Sequence, residues 1–387
     1  MATERQENRQ ENRQENRRDN HRENVAGRAN VEDTPELLAY YDELEHLEAG
    51  ALWTVANKIE PWEPKSSSVP VLWRYADLRA HVLRSVELVS PEKAGRRVIY
   101  LNNPGRREHA AAVGWLYSGL QVMHPGEVAS AHAHSASALR FIMEGEGAYT
   151  IVDGHKLTLG ANDFVLTPNG TWHEHGVASE GTPCIWQDGL DIPLVNALEA
   201  NFYAVHPKMQ QDVGHPVDDM AHAWGNPGLR PAGSEWSNGY SPLLKYEWGP
   251  TYEALQRYGK ATDGSLYDGV LMNYVNPVTG GPVMQTIGAS MQMLRPGEAT
   301  RAHRHTGSVI YQVAKGSGHS IIDGKRFDWT ERDIFCVPSW AWHEHANASA
   351  SDDACLFAFN DLPVMHALGL HREEAFGDNG GRQPLVS

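Results

Sequence analysis

Two kinds of hydrophobic spacing divide the chain. Between Asp33 and Gly50, leucine and tyrosine recur every three or four residues, as on one face of an α-helix. Residues 74–89 repeat this spacing after a Pro- and Ser-rich stretch at 61–70. From residue 96 onward, short apolar runs alternate with Gly, Pro and Asp-Gly turns, which is typical of a β-sandwich or barrel. The pattern therefore predicts helices first and a mainly β body after them.

The N-terminus follows neither spacing. Residues 6–17 repeat QENR three times without one apolar side chain. Such a segment buries too little surface to offset the entropy lost on ordering, so we expect a disordered tail over residues 1–30. Its acidic and basic residues nearly cancel, and the charge of the chain therefore belongs to the body.

An internal repeat determines the domain organisation. The segment PGEVASAHAH, from Pro125, returns as PGEATRAHRH from Pro296, and both copies end in WHEH. DIPLVNAL and DLPVMHAL extend the match into a helix that follows each copy. A repeat this long predicts two copies of one β domain. The predicted parts are a helical segment at 31–95, the first copy at 96–200, a connector at 201–275, the second copy at 276–375 and a tail at 376–387.

Composition excludes several classes of protein. Of 387 residues, 33 are Lys or Arg and 49 are Asp or Glu, a net charge of −16, which argues against a nucleic-acid partner. No apolar run reaches the roughly 18 residues of a membrane span, and the N-terminus has no apolar signal segment. Three scattered cysteines suit neither a disulfide framework nor a thiolate zinc site. We therefore expect a cytoplasmic protein.

The chain holds 20 histidines, and eight of them fall at matching positions of the repeat. His132 and His134 are two apart and project from the same face of a strand. His173, after a PNGTW turn, can complete the group from a neighbouring strand. Three imidazoles leave coordination positions open, close to the facial triad of non-haem Fe(II) oxygenases with a third histidine replacing the carboxylate. The second copy repeats the residue types, and its candidate ligands are His303, His305 and His343.

These motifs resemble the bicupins and, within them, the gentisate 1,2-dioxygenases. The cupin pattern of Gly, five residues and HxH begins at Gly126, and PxGxxH runs from Pro168 to His173. In the second copy, Trp340 replaces the glycine of PxGxxH. No Glu lies four or five residues after either HxH, which fits the ring-cleaving group rather than the manganese cupins with three His and a Glu. The resemblance implies two tandem double-stranded β-helix (jelly-roll) barrels with an N-terminal helical segment and short connecting helices.

The activity implied by this resemblance is Fe(II)-dependent ring cleavage in aromatic-compound catabolism. Gentisate and O2 would give maleylpyruvate by cleavage between C1 and C2, and both oxygen atoms would enter the product. Alternatives on the same scaffold are salicylate and 1-hydroxy-2-naphthoate 1,2-dioxygenase, and from another class a non-catalytic ligand-binding bicupin. Relatives are commonly homotetramers, so the resemblance also implies a homo-oligomer.

Arginines and a histidine near the metal motif are candidate substrate ligands. Arg140 lies six residues after His134, an even spacing that predicts the same strand face, and its guanidinium suits a substrate carboxylate. By similarity to the family, Arg96 is a second carboxylate ligand, although Arg97 could be the one that points inward. His175 is an acid–base or hydrogen-bonding candidate, or a histidine that merely packs.

Three further positions follow from the resemblance. Gln121 and Tyr117, on the strand before HxH, look like pocket-lining positions of the family. Tyr117 bears on specificity, because relatives that accept salicylate tend to carry Trp there. Asp188 is a supporting candidate behind the residues that contact the substrate.

Overall fold

The computed structural model describes residues 31–386. Contacts divide the chain after Lys65 into a short unit and a large unit that begins at Ser66. The tail predicted over residues 1–30 lies outside the described residues. Within the described range, no helix has both the length and the apolar character needed to cross a bilayer.

The helices are few and mostly short. They are α1 (Pro35–His46), α2 (Ala56–Ile59), α3 (Tyr75–Leu88), α4 (Pro91–Ala94), α5 (Ile192–Ala197), α6 (Asp219–Trp224), α7 (Trp248–Ala261) and α8 (Leu362–Ala367). Three 3-10 helices span Leu52–Thr54, Pro104–His109 and Asn379–Gly381. The first predicted helix is confirmed as α1, where the Thr34 hydroxyl accepts a hydrogen bond from the backbone N–H of Leu37 at 3.2 Å. The second is confirmed as α3.

The large unit is built from strands. The strands before residue 250 are β1 (Val71–Trp73), β2 (Val98–Tyr100), β3 (Tyr117–Met123), β4 (Val128–His134), β5 (Ala138–Glu144), β6 (Ala148–Val152), β7 (His155–Leu159), β8 (Phe164–Thr167), β9 (His173–Val177), β10 (Cys184–Leu190), β11 (Tyr203–Val205) and β12 (Lys245–Tyr246). The later strands are β13 (Val270–Asn273), β14 (Gly288–Leu294), β15 (His303–His305), β16 (Val309–Lys315), β17 (Ser317–Ile322), β18 (Lys325–Thr330), β19 (Ile334–Val337), β20 (His343–Asn347), β21 (Ala354–Asn360) and β22 (Glu373–Ala375).

Each copy of the repeat forms two antiparallel sheets. The first copy has the strand orders β12-β8-β5-β10-β3-β2 and β11-β4-β9-β6-β7. The second has β1-β19-β16-β21-β14-β13 and β18-β17-β20-β15-β22. Non-consecutive neighbours throughout these sheets are typical of a jelly roll. The predicted mainly β fold with two barrels is confirmed.

Matching turns fix the same register in both copies. Asp153-Gly154 joins β6 to β7, and Asp323-Gly324 joins β17 to β18. All four residues have positive φ, from 44° to 82°. A two-residue hairpin turn with two positive φ angles strongly favours Asp-Gly, because glycine adopts this conformation without strain. The Asp-Gly signal in the sequence therefore corresponds to a defined hairpin in each barrel.

Two segments outside the repeat complete the sheets, and one of them pairs with the more distant copy. β1 precedes the first copy but pairs with β19 of the second, with Leu72 opposite Phe335. β12, from the predicted connector, pairs with β8 of the first copy. Sequence spacing predicted a connector with short helices there and gave no sign of strand exchange, since pairing between distant segments leaves no local pattern.

The two barrels share one hydrophobic core. Phe141 of β5 stacks on Phe357 of β21, with ring centroids 4.1 Å apart and 13° between the planes. Phe164 and Phe359 extend this cluster, and all four side chains are fully buried. A Cβ atom on Gly189 would lie 2.6 Å from the Phe359 ring, so glycine is what allows this close approach. The barrels therefore stabilise each other directly.

Replacing Phe357 with Ala should test this shared core. The removed ring contacts both barrels, so we expect the free energy of unfolding to fall by about 3–5 kcal/mol, measured by chemical denaturation. Phe327→Ala is the matched control, because Phe327 lies on β18 and is only partly buried. Equal losses in the two variants would contradict a special role for the shared core.

Candidate metal centre

Three histidines converge inside the first barrel. His132 and His134 project from alternate positions at the end of β4, and His173 begins β9 directly opposite His132. The ring of His173 lies 4.3 Å from that of His132 and 4.6 Å from that of His134, centroid to centroid. One ligand atom from each histidine lies within 4.8 Å of the other two. The structure therefore brings the predicted triad together.

Backbone carbonyls fix the orientation of all three rings. Nδ1 of His132 lies 2.7 Å from the carbonyl oxygen of Ser130, and Nδ1 of His134 lies 2.8 Å from that of Ala136. Nδ1 of His173 is 3.0 Å from the carbonyl oxygen of Thr171. A carbonyl oxygen only accepts hydrogen bonds, so each Nδ1 carries the proton and each Nε2 keeps a lone pair.

The three Nε2 atoms are buried and have no hydrogen-bond partner among the described residues. Buried polar atoms without partners are rare in folded proteins, because each carries a desolvation penalty of about 1–3 kcal/mol. A metal ion bound by the three lone pairs would remove this penalty. Neutral imidazoles suit zinc, copper, iron and nickel. The residues therefore fit a metal ion.

Burial keeps the triad neutral. Burial and, to a smaller extent, the nearby Arg96 charge lower the pKa of His132 to about 3 and that of His134 to about 4. The pKa of His173 also lies well below its usual value, first because of burial and then because of its two histidine neighbours. Since only the neutral imidazole binds metal, the site is ready for an ion at neutral pH.

A cavity of about 320 Å³ opens beside His134. Arg96, Tyr117, Arg140 and Asp188 line it, all of them sequence-predicted site residues. The remaining lining residues are Ala94, Val98, Ala136, Leu190, Ile192, Asn201, Phe202 and Tyr203. Two arginines against one aspartate give the cavity a net positive charge, and its volume is within the range of small-molecule sites. The cavity therefore suits a small organic anion.

Arg140 is held rigidly in the wall of this cavity. Its Nη1 donates to the Thr167 hydroxyl at 2.9 Å, and its Nε lies 3.2 Å from Oδ1 of Asp188. Burial lowers the pKa of Arg140 to about 10, so the guanidinium stays charged at neutral pH. Burial raises the pKa of Asp188, and the attraction of Arg140 opposes that rise. The pair presents an oriented cation to the cavity.

The strand-face argument for Arg140 is wrong. His134 ends β4, whereas Arg140 lies on β5 in the other sheet of the barrel. The chain turns at residues 135–137, so a spacing of six residues does not describe one strand face. Arg140 reaches the cavity because the two sheets face each other across it.

Of the two neighbouring arginines, Arg96 lines the cavity. Arg97 instead forms an ion pair with Glu127, and its Nη1 also lies 3.4 Å from the carbonyl oxygen of Val89. Tyr117 also lines the cavity, and its ring stacks on Tyr100 with centroids 6.4 Å apart.

His175 and Gln121 lie outside the cavity lining. His175 is fully buried, its ring centroid lies 5.6 Å from that of His173, and its Nδ1 is 2.9 Å from the Thr150 hydroxyl. Burial keeps its pKa well below the usual value, and its Nε2 has no hydrogen-bond partner within residues 31–386. The side-chain oxygen of Gln121 is likewise buried without a partner. The roles of both residues stay predictions.

Sequence reasoning missed the wall contributed by Asn201, Phe202 and Tyr203. Tyr203 begins β11, which pairs with β4 so that Tyr203 lies opposite His134. In the second barrel, β22 pairs with β15 in the same way. Both strands follow the helix of their copy, but they read YAV and EEA, so the sequence gives no shared pattern that identifies them.

The second barrel arranges its histidines differently. Nδ1 of His303 lies 3.2 Å from a carboxylate oxygen of Glu373, and its Nε2 lies 3.8 Å from Asp268. Within residues 31–386, His303, His305 and His343 do not bring one ligand atom each to within 4.8 Å of one another. A second metal site therefore stays a prediction.

The lowered histidine pKa values predict metal binding that depends weakly on pH. Three exposed histidines with a pKa of about 6.5 would each cost about tenfold in affinity between pH 7.5 and pH 5.5. Because all three pKa values are lowered, to about 3 for His132 and about 4 for His134, we expect the dissociation constant of a divalent metal ion to change less than tenfold between pH 7.5 and pH 5.5. Anaerobic titration at both values measures it. A weakening near a thousandfold would show that the imidazoles titrate normally.

The chain is similar in sequence to known cupin proteins. The cupin-domain family model matches residues 119–193 and 290–359. The chain is 36% identical over 340 residues to gentisate 1,2-dioxygenase 1 of Aquipseudomonas alcaligenes, which covers 88% of this chain and 96% of the relative. It is 35% identical to a 5-aminosalicylate 1,2-dioxygenase of Comamonas sp, with 91% and 93% covered.

A solved structure is also similar over nearly the whole chain. It is the salicylate 1,2-dioxygenase from Pseudoaminobacter salicylatoxidans in adducts with gentisate, with a TM-score of 0.85 and 32% sequence identity. The match covers 92% of this chain and 98% of that one.

Proposed function

Because this chain belongs to the gentisate 1,2-dioxygenase family and is a ring-cleaving dioxygenase, we propose that its substrate is gentisate and its metal Fe(II). Gentisate and O2 would give maleylpyruvate by cleavage between C1 and C2. The observation that carries this proposal is a buried triad of unpartnered Nε2 atoms beside a cavity with two arginines. The non-catalytic alternative is set aside, because ligand binding alone does not require three convergent imidazoles.

His132, His134 and His173 would hold the iron through Nε2. Three protein ligands leave coordination positions for substrate and O2, and Fe(II) supplies the electron transfer by which O2 reacts with the ring. The protein's own contribution is to fix the three rings through their Nδ1 hydrogen bonds.

We assign the substrate carboxylate to Arg140 and Arg96. Both line the cavity that His134 borders. The hydrogen bond to Thr167 and the ion pair with Asp188 fix the Arg140 guanidinium before substrate arrives, which reduces the entropy lost on binding. Asp188 acts as a positioning residue in this scheme. Tyr117 and Gln121 would complete the substrate side of the site.

His175 is our candidate for the acid–base or hydrogen-bonding role at the substrate hydroxyl. Burial holds its pKa well below the usual value, so the imidazole is neutral and a weak base at neutral pH, which favours hydrogen bonding. Its Nε2 is unpartnered, and the Thr150 hydroxyl fixes the other ring nitrogen. Because its ring lies next to that of His173, it would form a hydrogen bond with a substrate hydroxyl held beside the triad.

Related enzymes differ in the substrate for which they are named, which keeps salicylate and 1-hydroxy-2-naphthoate as alternatives. Several relatives are gentisate 1,2-dioxygenases, one is a 1-hydroxy-2-naphthoate 1,2-dioxygenase, and the related salicylate enzyme was solved with gentisate. Tyr117 at the cavity favours gentisate by similarity to the family. Gentisate also carries a 5-hydroxyl, which donates electrons to the ring and eases its oxidation.

An absorbance assay separates these substrates. With Fe(II)-loaded protein we expect rapid formation of the maleylpyruvate chromophore from gentisate and a kcat/KM at least about tenfold lower for salicylate, equivalent to about 1.4 kcal/mol in transition-state binding. Absence of ring-fission absorbance with gentisate, while salicylate or 1-hydroxy-2-naphthoate is turned over, would refute the assignment.

Two single variants test which of the two barrels binds the metal and carries the catalytic activity. His132→Ala removes a ligand of the compact triad, so we expect iron content and kcat/KM to fall at least about a hundredfold. His303→Ala is the matched variant in the second barrel, and we expect a change within about threefold in both quantities. Iron stoichiometry and turnover measure this, and equal losses would mean two working sites.

The cellular setting is also a proposal. We place the enzyme in the cytoplasm, a location supported by three cysteines that are all buried free thiols. The homotetramer implied by the family resemblance stays a prediction, which size-exclusion chromatography with light scattering tests.

A further inference from the structure

A second group of ligand-type side chains lies on the first barrel, away from the cavity. It consists of His155, His215 and Asp219, and one ligand atom from each lies within 4.8 Å of the other two. Among residues 31–386, only this group and the buried triad meet that distance. None of its members lines the cavity or belongs to the triad, so the proposed dioxygenase reaction leaves it without a role.

Both imidazoles turn the same nitrogen toward one carboxylate. Nδ1 of His155 lies 2.9 Å from Oδ2 and 3.0 Å from Oδ1 of Asp219. Nδ1 of His215 lies 3.7 Å from Oδ2. The two rings are nearly parallel, with centroids 3.9 Å apart and 13° between their planes. Two imidazole nitrogens and a carboxylate that lie this close together form the ligand set of a metal site with an open position, once the His215 ring rotates out of the stack toward the ion.

Backbone hydrogen bonds hold these side chains in place. His155 is the first residue of β7, directly after the Asp153-Gly154 turn. The segment 206–218, which carries His215, is fixed to this hairpin by bonds from Gly214 N to Gly154 O at 3.2 Å and from Asp218 N to Lys156 O at 2.9 Å. The ligands thus come from two parts of the chain that are already joined.

The carboxylate of Asp218, next to Asp219 in the chain, already has partners of its own and is not available to an ion. Asp218 pairs with Lys245 Nζ at 2.9 Å and accepts a hydrogen bond from the Thr158 hydroxyl. Asp219 is left facing the two histidines. Its side chain and that of His155 are about one-fifth exposed, at 22% and 19%, whereas that of His215 is 48% exposed. The ring of His215 therefore has room to rotate, and solvent can supply a further ligand.

We propose that His155, His215 and Asp219 form a binding site for a zinc ion, with water as the fourth ligand. Two histidines and one carboxylate are a common ligand set for Zn²⁺, which favours four-coordinate sites. The ion would replace the hydrogen bond between His155 and Asp219 and join the β6–β7 hairpin to the segment 206–218. That segment continues from β11, which pairs with β4. The zinc site would therefore fasten one wall of the substrate cavity.

Zinc content measured by equilibrium dialysis and mass spectrometry tests the proposal. The full-length protein should retain one zinc equivalent more than His155→Ala or His215→Ala, because any zinc in the buried triad is common to all three proteins. His222→Ala is the matched control, since His222 is an exposed histidine on α6 that lies outside the group. It should bind as much zinc as the unchanged protein.

Trypsin cleavage after Lys208 gives a second readout, because Lys208 is exposed in the segment that zinc would fasten. Added Zn²⁺ should slow this cleavage several-fold in the unchanged protein and in His222→Ala, and leave His215→Ala unaffected. Equal zinc content in the unchanged protein and His215→Ala would overturn the proposal and leave a hydrogen-bonded cluster. Because His215 is exposed, we expect His215→Ala to fold normally, so that a lower zinc content in this variant reports the loss of a ligand.

Discussion

Three hydrogen bonds from imidazole Nδ1 atoms to backbone carbonyls govern the chemistry of this protein. Each bond fixes one ring and leaves one lone pair without a partner. The carbonyls of Ser130, Ala136 and Thr171 belong to the sheet and its turns, so the rings are held by the backbone and not by mobile side chains. The stability of the barrel therefore maintains an arrangement that is unfavourable without an ion and favourable with one.

The second barrel shows how little must change to alter such a site. It keeps the residue types, and even the buried His345 takes a hydroxyl partner, Ser320, as His175 takes Thr150. Yet His303 faces the side-chain carboxylate of Glu373 where His132 faces a backbone carbonyl. A side-chain partner can move and can be protonated, whereas a carbonyl cannot. One duplicated fold thus presents two electrostatic settings for nearly identical histidines.

The sequence predicted much of this structure because the relevant signals were local or repeated. The helix spacing, the Asp-Gly turns and the HxH pair each act over a few residues, and the repeat placed His173 against His132. What the sequence missed or left open concerns contacts between distant segments. The strand face of Arg140, the choice between Arg96 and Arg97, and the cavity wall at Tyr203 all depend on which strands become neighbours. No local pattern records the crossing of β1 into the second barrel.

That crossing has a consequence for how the gene can be altered. β1 lies near the start of the chain and completes a sheet of the distal barrel, while β12 lies beyond the first repeat and completes a sheet of the proximal one. A cut between the repeats would leave the distal fragment with an exposed strand edge where β1 belongs. The two halves descend from a repeat but are no longer interchangeable modules. Fission, shuffling or circular permutation must carry the borrowed strand along with the barrel that uses it.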